Sequence, residues 1–134
     1  MKELKIISLF SGYGTQELAL KYSGIRYHNI ANCDILKSAN EAYDSLHTTE
    51  LGNLGDVSKV DEKSFPHCDF LTYSFPCQDI SISGVQRGIE KGTRSGLLYE
   101  VERIVEYNKP KFLLMENVKN LVSKNHIKKF NNYI

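Results

Sequence analysis

The 134-residue chain has little cysteine, little net charge and no long apolar run, and each shortage excludes something. Its three cysteines are Cys33, Cys68 and Cys77. No two have the spacing of a zinc pair or a Cys-x-x-Cys redox pair, and an odd number cannot all pair within one chain. Free thiols in a reducing compartment are expected. No apolar stretch approaches the roughly 18 residues of a membrane span. The opening Met-Lys-Glu-Leu-Lys-Ile-Ile lacks a signal-peptide pattern, so the expected location is cytoplasmic. A net charge of +1 does not mark a strongly basic nucleic-acid domain. Repeats, low-complexity tracts and linkers are missing too. What remains has the length of one domain. Its composition, 41% hydrophobic and 25% charged, is ordinary for a globular protein.

The charge that is present is uneven. From Lys109 onward come Lys111, Lys119, Lys124, Lys128 and Lys129, against Glu116 alone. This is either a solvated basic face or a phosphate-facing edge.

Hydrophobic periodicity gives an order of elements. Residues 5–10 read as a strand, and Ser11-Gly-Tyr-Gly14 as the turn after it. Residues 15–22 read as a helix with Leu18, Ala19 and Tyr22 on one side and Gly24 closing it. A strand over 27–33 follows. A helix over 36–46 places Ala39, Ala42, Tyr43 and Leu46 on one face, with Asp34 set to cap it. Residues 48–56 have room only for a short strand, and 61–65 for one helical turn. Residues 70–74 are a strand and 75–92 a long polar loop of the kind that is often functional. Ser95 is placed to cap a helix over 96–107 that carries Leu97, Leu98, Val101, Ile104 and Val105. Residues 111–115 are the fifth strand, and another helix begins near Asn125. Alternating strand and helix means parallel βαβ units with right-handed crossovers. The expected fold is α/β: a Rossmann-like, doubly wound, mostly parallel sheet of about five strands with helices on both faces.

In such sheets ligands bind beyond the carboxyl ends of the strands, and three stretches lie there. Phe10-Ser-Gly-Tyr-Gly14 forms a turn in which Gly12 and Gly14 let the backbone approach a ligand. Asp34 lies 20 residues past Gly14, where a carboxylate can accept hydrogen bonds from ribose hydroxyls. Glu17 stands where the dinucleotide fingerprint has Gly or Ala, and its charge at a helix start is expected to repel a pyrophosphate. An adenosine ligand without phosphates therefore fits better than NAD. Asp56 closes a third unit, either as an adenine reader or as a turn residue. The strand at 70–74 breaks at Pro76, and Cys77 follows at the mouth of the long loop. A lone Cys is usually a small buried hydrophobe; one exposed at a strand end suits a nucleophile. The four histidines, His28, His47, His67 and His126, read as structural or surface residues.

With Phe10-Ser-Gly-Tyr-Gly14, Ser74-Phe-Pro-Cys-Gln78 and Glu116-Asn-Val118 in this order, the chain resembles the DNA cytosine-5 methyltransferases. Cys33-Asp-Ile-Leu-Lys-Ser-Ala39 and Gly55-Asp-Val57 resemble the family's ribose and adenine motifs. Arg94 to Val105 resembles the helix after the catalytic loop, and Pro110 to Leu121 the motif of the second catalytic group. Thr15 stands where the family usually has Gly, Asp34 where it more often has Glu, and Ile35 where it often has an aromatic residue. The family's later motifs and its target-recognition region have no counterpart in residues 1–134. The resemblance thus implies the amino-terminal portion of a methyltransferase catalytic domain.

It also implies roles. Cys77 attacks C6 of a cytosine flipped out of duplex DNA, and Glu116 meets N3. S-adenosylmethionine is the implied cofactor, held by Phe10, Gly12, Gly14, Asp34, Ile35, Asp56, Val57, Pro76 and Leu97. Ser74, Gln78, Arg94, Asn117 and Val118 are the implied substrate contacts. A free thiol titrates near about 8.5, so the site must lower that value or supply a base. Arg87, Lys91 and Arg94 are placed to assist, or else meet solvent and phosphates. A second chain or further polypeptide carrying target recognition is the implied partner. Three alternatives stay open: a tRNA cytosine methyltransferase, a degenerate module that only binds S-adenosylmethionine, and one subunit of a split enzyme.

Overall fold

The computed structural model describes residues 3–77, 95–123 and 131. Four parallel strands form one sheet: β1 (Leu4–Leu9), β2 (Tyr27–Cys33), β3 (Phe70–Tyr73) and β4 (Phe112–Met115), in the order β2-β1-β3-β4. Helix α1 (Thr15–Tyr22) joins β1 to β2, α2 (Lys37–Leu46) follows β2, and α3 (Leu98–Asn108) precedes β4. Single 3-10 turns occupy Val57–Lys59, Glu62–Ser64, Ser95–Leu97 and Lys119–Val122.

The short strand expected over residues 48–56 is absent, and 111–115, expected as the fifth strand, is the fourth among the described residues. The place beside β2 holds one isolated bridge, Asn32 to Asn53. Backbone hydrogen bonds from Glu50 and Leu51 to Asn29 and Ile30, and between Asn32 and both Gly52 and Leu54, tie this segment along β2, but Gly52, at φ 74°, interrupts a regular ladder. The expected helix from Asn125 and most of the 75–92 loop lie outside the described residues. So do Gln78, Arg87, Lys91, Arg94 and His126. No helix of the described residues is long and apolar enough to cross a membrane.

Alternation along β1 sends side chains to two faces. Ile7 and Leu9 face one side, with their neighbours Leu71 and Tyr73 of β3. There they share an apolar core with Leu98, Val101 and Ile104 of α3. Ser8 and its neighbour Thr72 face the other side, and Ser8 Oγ lies 2.8 Å from Thr72 Oγ1. Ser8 donates to Glu17 of α1, and Tyr43 Oη of α2 donates to the same carboxylate at 2.8 Å. Helices therefore cover both faces, and one layer of the core is a polar network.

Glu17 is wholly buried. Its charge points into the sheet, not toward a ligand at the helix start, so pyrophosphate repulsion is not what it provides. The apolar face expected of α1 is also displaced. Ala19 and Tyr22 face solvent, Tyr22 at 84% exposure, because Glu17 takes the inward position. Burial first, and then the Glu17 carboxylate, push the Tyr43 hydroxyl far above its ordinary range, so it stays a donor.

α3 is tied to the chain before β3. Arg103 pairs with Glu62 and Glu100 and donates to the carbonyls of Val57 (3.2 Å) and Val60 (3.0 Å). Asn108 accepts from Cys68 N–H at 2.9 Å and donates to the Pro66 carbonyl at 2.8 Å. Lys111, counted in the sequence with the basic edge, pairs with the buried Asp69 at 3.1 Å.

The polar layer predicts the outcome of one substitution. Tyr43→Phe keeps the ring and leaves a buried carboxylate oxygen short of a donor, at a cost of about 1–3 kcal/mol. Urea unfolding should show a lower midpoint with an unchanged slope. An unchanged midpoint would mean that the Tyr43–Glu17 bond contributes nothing.

Candidate active site

All four strands end on one rung. Leu9 pairs with Cys33 on one side and Tyr73 on the other, and Tyr73 pairs with Met115. The next residues are therefore Asp34, Phe10, Ser74 and Glu116, side by side across the carboxyl edge. With neighbouring strands about 4.8 Å apart, this row spans about 14 Å. The Glu116 N–H donates to the Tyr73 carbonyl at 3.1 Å, which carries the alignment one residue past β4.

Each turn after a strand has a local cause. Phe10 takes φ 53°, a costly conformation for an aromatic residue. It turns the chain so that its side chain lines the cavity described below. Gly14, at φ 80°, opens α1, where a Cβ would stand 2.3 Å from His47 Nε2 and 2.9 Å from Tyr43 Cε2. Only glycine meets both demands. His47 Nε2 lies 3.1 Å from the Tyr13 carbonyl, so α2 braces the turn from behind. A Cβ at Gly12 would meet nothing within 4 Å.

Asp34 does not cap α2 in the usual way, since the capping residue is Leu36 with no side-chain bond. Its Oδ1 accepts from Leu36 N–H at 2.9 Å, and its Oδ2 from Gly12 N–H at 2.9 Å. The carboxylate thus joins the end of β2 to the glycine turn, and each oxygen keeps a lone pair for a further donor. Asp56 Oδ1 accepts from Ser58 N–H (3.0 Å) and Ser58 Oγ (2.7 Å). These Ser58 bonds, with Lys59 nearby, hold its carboxyl below the usual range. Asp56 is therefore a turn residue by its own bonding, and a cavity wall as well.

A cavity of about 530 Å³ opens at this edge. Of the residues expected to hold a cofactor, Phe10, Asp34, Ile35, Asp56, Val57, Pro76 and Leu97 line it; Gly12 and Gly14 lie outside its wall. Ser74, expected on the substrate side, lines it too. Cys33, Leu36 and Gly55 were missed as wall residues. The first two flank Asp34 and could have been read from its position. A larger cavity of about 660 Å³ lies at the amino ends of β1 and β2, among Lys21, Arg26, His28 and Glu50. It contains none of the strand-end residues.

Cys77 is half-buried, three residues past Ser74. The stem between them is anchored by Phe75, which is buried, and Asn117 donates to its carbonyl at 2.9 Å. Asn117 also accepts from Val118 N–H at 2.9 Å. Asn117 and Val118, expected as substrate contacts, are thus placed as supports of the loop. Glu116 is exposed at the end of β4. Three histidines have structural partners: His28 with Glu50, His47 with Tyr13, and His67 with the Asn108 carbonyl.

The three thiols differ. Burial, and then Asp34, push Cys33 up to about 12, and burial with Asp69 does the same for Cys68. Both are buried, whereas Cys77 is partly open. Limiting iodoacetamide at pH 8 should therefore modify Cys77 in the native protein, and Cys33 and Cys68 only after denaturation. Peptide mapping reads the result; equal modification of Cys33 would contradict this placement.

The comparisons with known proteins come to the same place. The family profile of C-5 cytosine-specific DNA methylases matches residues 4–134. The type II methyltransferase M2.ScrFI of Lactococcus lactis subsp. cremoris is 56% identical over 84 residues, covering 61% of this chain and 23% of its own length. The type II methyltransferase M.HhaI of Haemophilus parahaemolyticus is 38% identical over 122 residues, covering 90% of this chain and 35% of its own. The crystal structure of the S. pombe Dnmt2 methyltransferase superposes with a TM-score of 0.74 at 26% identity, over 98% of this chain and 41% of that one. The chain thus spans between about a quarter and two fifths of the length of these relatives. With its parallel sheet, its strand-end row and the match over residues 4–134, this chain belongs to the C-5 cytosine-specific DNA methylase family.

Proposed function

We propose that the chain is the cofactor- and nucleophile-bearing part of a DNA (cytosine-5-)-methyltransferase that uses S-adenosylmethionine. The observation that carries this is the single rung that sets Asp34, Phe10, Ser74 and Glu116 in one row, with Cys77 on the stem beyond Ser74. The cavity suits an adenosine. Ile35, Val57, Pro76 and Leu97 offer apolar walls for a purine, and Asp34 and Asp56 offer acceptors for ribose and adenine donors. When bound, the cofactor would supply an electrophilic methyl group on a sulfonium.

The chain's own residues would do the rest. C5 of cytosine is a poor nucleophile, and adding a thiolate at C6 makes it a good one. Cys77 forms that C6–S bond. Glu116, at the next strand end, gives a proton to N3 as the general acid, so negative charge does not build up on the ring. After methylation, water takes the C5 proton, the C–H electron pair re-forms the C5–C6 double bond, and the C6–S bond breaks to release Cys77 as the thiolate. Asn117 keeps Phe75, and with it the stem of Cys77, against β4 throughout.

Target recognition falls to polypeptide beyond this portion, on the same chain or a second one. Two facts support that division. The chain spans 23% of M2.ScrFI and 35% of M.HhaI. Phe112, Leu113 and Leu114 of the edge strand β4 are 42–56% exposed, a surface suited to being covered.

Calorimetric titration with S-adenosylhomocysteine tests the cofactor half. The chain should bind it and not NAD. Asp34→Ala should weaken binding about tenfold or more, since one or two hydrogen bonds to a charged group contribute roughly 1.5–3 kcal/mol each. Unchanged affinity in Asp34→Ala would refute this placement. Duplex DNA carrying 5-fluorocytosine tests the chemistry, in an assembly that includes the recognition portion. A covalent adduct should form with the wild type and vanish with Cys77→Ala. Methyl transfer by Cys77→Ala at the wild-type rate would remove the mechanism.

A further inference from the structure

Gln16 has no part in the mechanism above, yet it reaches from the cofactor turn to the nucleophile's stem. It lies on the first turn of α1, two residues past Gly14, and its Nε2 donates to Ser74 Oγ at 2.8 Å. Thr15 Oγ1 donates to Gln16 Oε1 at 3.1 Å. Both Gln16 and Ser74 are half-buried. Ser74 sits on the strand-end rung, lines the cavity and stands three residues before Cys77. The stem is held on its far side by the bond from Asn117 to the Phe75 carbonyl. Gln16–Ser74 is thus a side-chain hydrogen bond that ties α1 directly to residues 74–77.

We propose that Gln16 is a positioning residue that couples the cofactor turn to the Cys77 stem through Ser74. A two-substrate methyl transfer needs the thiol and the methyl donor held in fixed relation. The turn and the stem are separate segments, 58 residues apart, and each could shift alone. The hydrogen bond makes one follow the other. Occupation of the cavity then fixes the thiol as well as the cofactor, which is a coupling between two sites.

The inference rests on the proposed cofactor site, and the test separates the two. The full chain is alkylated with iodoacetamide, with and without saturating S-adenosylhomocysteine, and the rate at Cys77 is followed by peptide mass. Calorimetry on the same sample establishes binding. In the wild type the ligand should slow Cys77 by about fivefold or more. In Gln16→Leu and in Ser74→Ala, at saturating ligand, that ratio should fall toward one, and the double variant should lose no more than either single one. Gln16→Glu should retain the ratio, because the Ser74 hydroxyl can donate to the new carboxylate. If Gln16→Leu does not fold, as judged by circular dichroism, Ser74→Ala decides from the other end of the bond. Failure of the wild type to bind the ligand overturns the cofactor site and the coupling with it. Binding without slowing, or a wild-type ratio in folded Gln16→Leu and Ser74→Ala, overturns the coupling alone.

Discussion

The structure depends on the register of three parallel pairings. Leu9 lies level with Cys33 and Tyr73, and Tyr73 with Met115. A parallel strand pair slipped by two residues would still bury the same face. It would, however, carry Asp34, Ser74 or Glu116 several ångströms out of line, at about 3.3 Å per residue. The loops that follow β1, β2 and β3 begin at one level and meet in the wall of the cavity. Ile6, Ile7, Ser8 and Leu9 of β1 are all buried, so both faces of the strand are packed and leave little room for such a slip.

The polar layer beneath that rung is an unusual support for it. Ser8 and Thr72 precede Leu9 and Tyr73 by one residue, and both belong to the network that ends in Glu17 and Tyr43. A buried carboxylate is costly unless well bonded. Here it fixes the relative placement of β1, β3, α1 and α2 directly behind the glycine turn. Hydrogen bonds have narrower geometry than apolar contacts, so the layer sets position where the α3 side of the sheet sets compactness. Arg103 extends the same logic to the opposite face, pinning α3 to the carbonyls of Val57 and Val60 next to the cavity wall.

Most of the fold and much of the site were legible in the sequence, for physical reasons. Apolar runs placed the strands, of which β1, β2 and β3 are buried without a break over most of their length, and 3.6-residue spacing placed the helices, with a clear apolar face on α3. Asp34 and Cys77 were visible because parallel sheets put ligands at carboxyl ends, whereas Asp56, read as closing a strand unit, instead caps a 3-10 turn. What failed was side-chain direction. Glu17 was read as facing a ligand, yet helix phase turns it inward, and Tyr22 lost its expected burial in consequence. The short strand expected over 48–56 is reduced to one bridge and a few backbone bonds because Gly52 takes left-handed backbone within it. The Asp34–Gly12 and Gln16–Ser74 bonds join residues 22 and 58 positions apart. No local pattern announces such pairs.

Among the described residues a cavity lies at each end of the sheet, and the proposed ligand site is the smaller of these two. The amino-end cavity, near Lys21, Arg26 and His28, is the larger, but its walls carry mixed exposed charges and no convergent acceptors at strand ends. The carboxyl-end cavity joins apolar walls to Asp34 and Asp56 and lies beside the Cys77 stem. A crystal structure of the chain bound to S-adenosylhomocysteine decides between them. The account predicts the adenine against Val57 and Leu97, the ribose hydroxyls on Asp34, and the sulfur toward Pro76 and Cys77. Density for the ligand among Lys21, Arg26 and Glu50, with the carboxyl-end cavity empty, would contradict it.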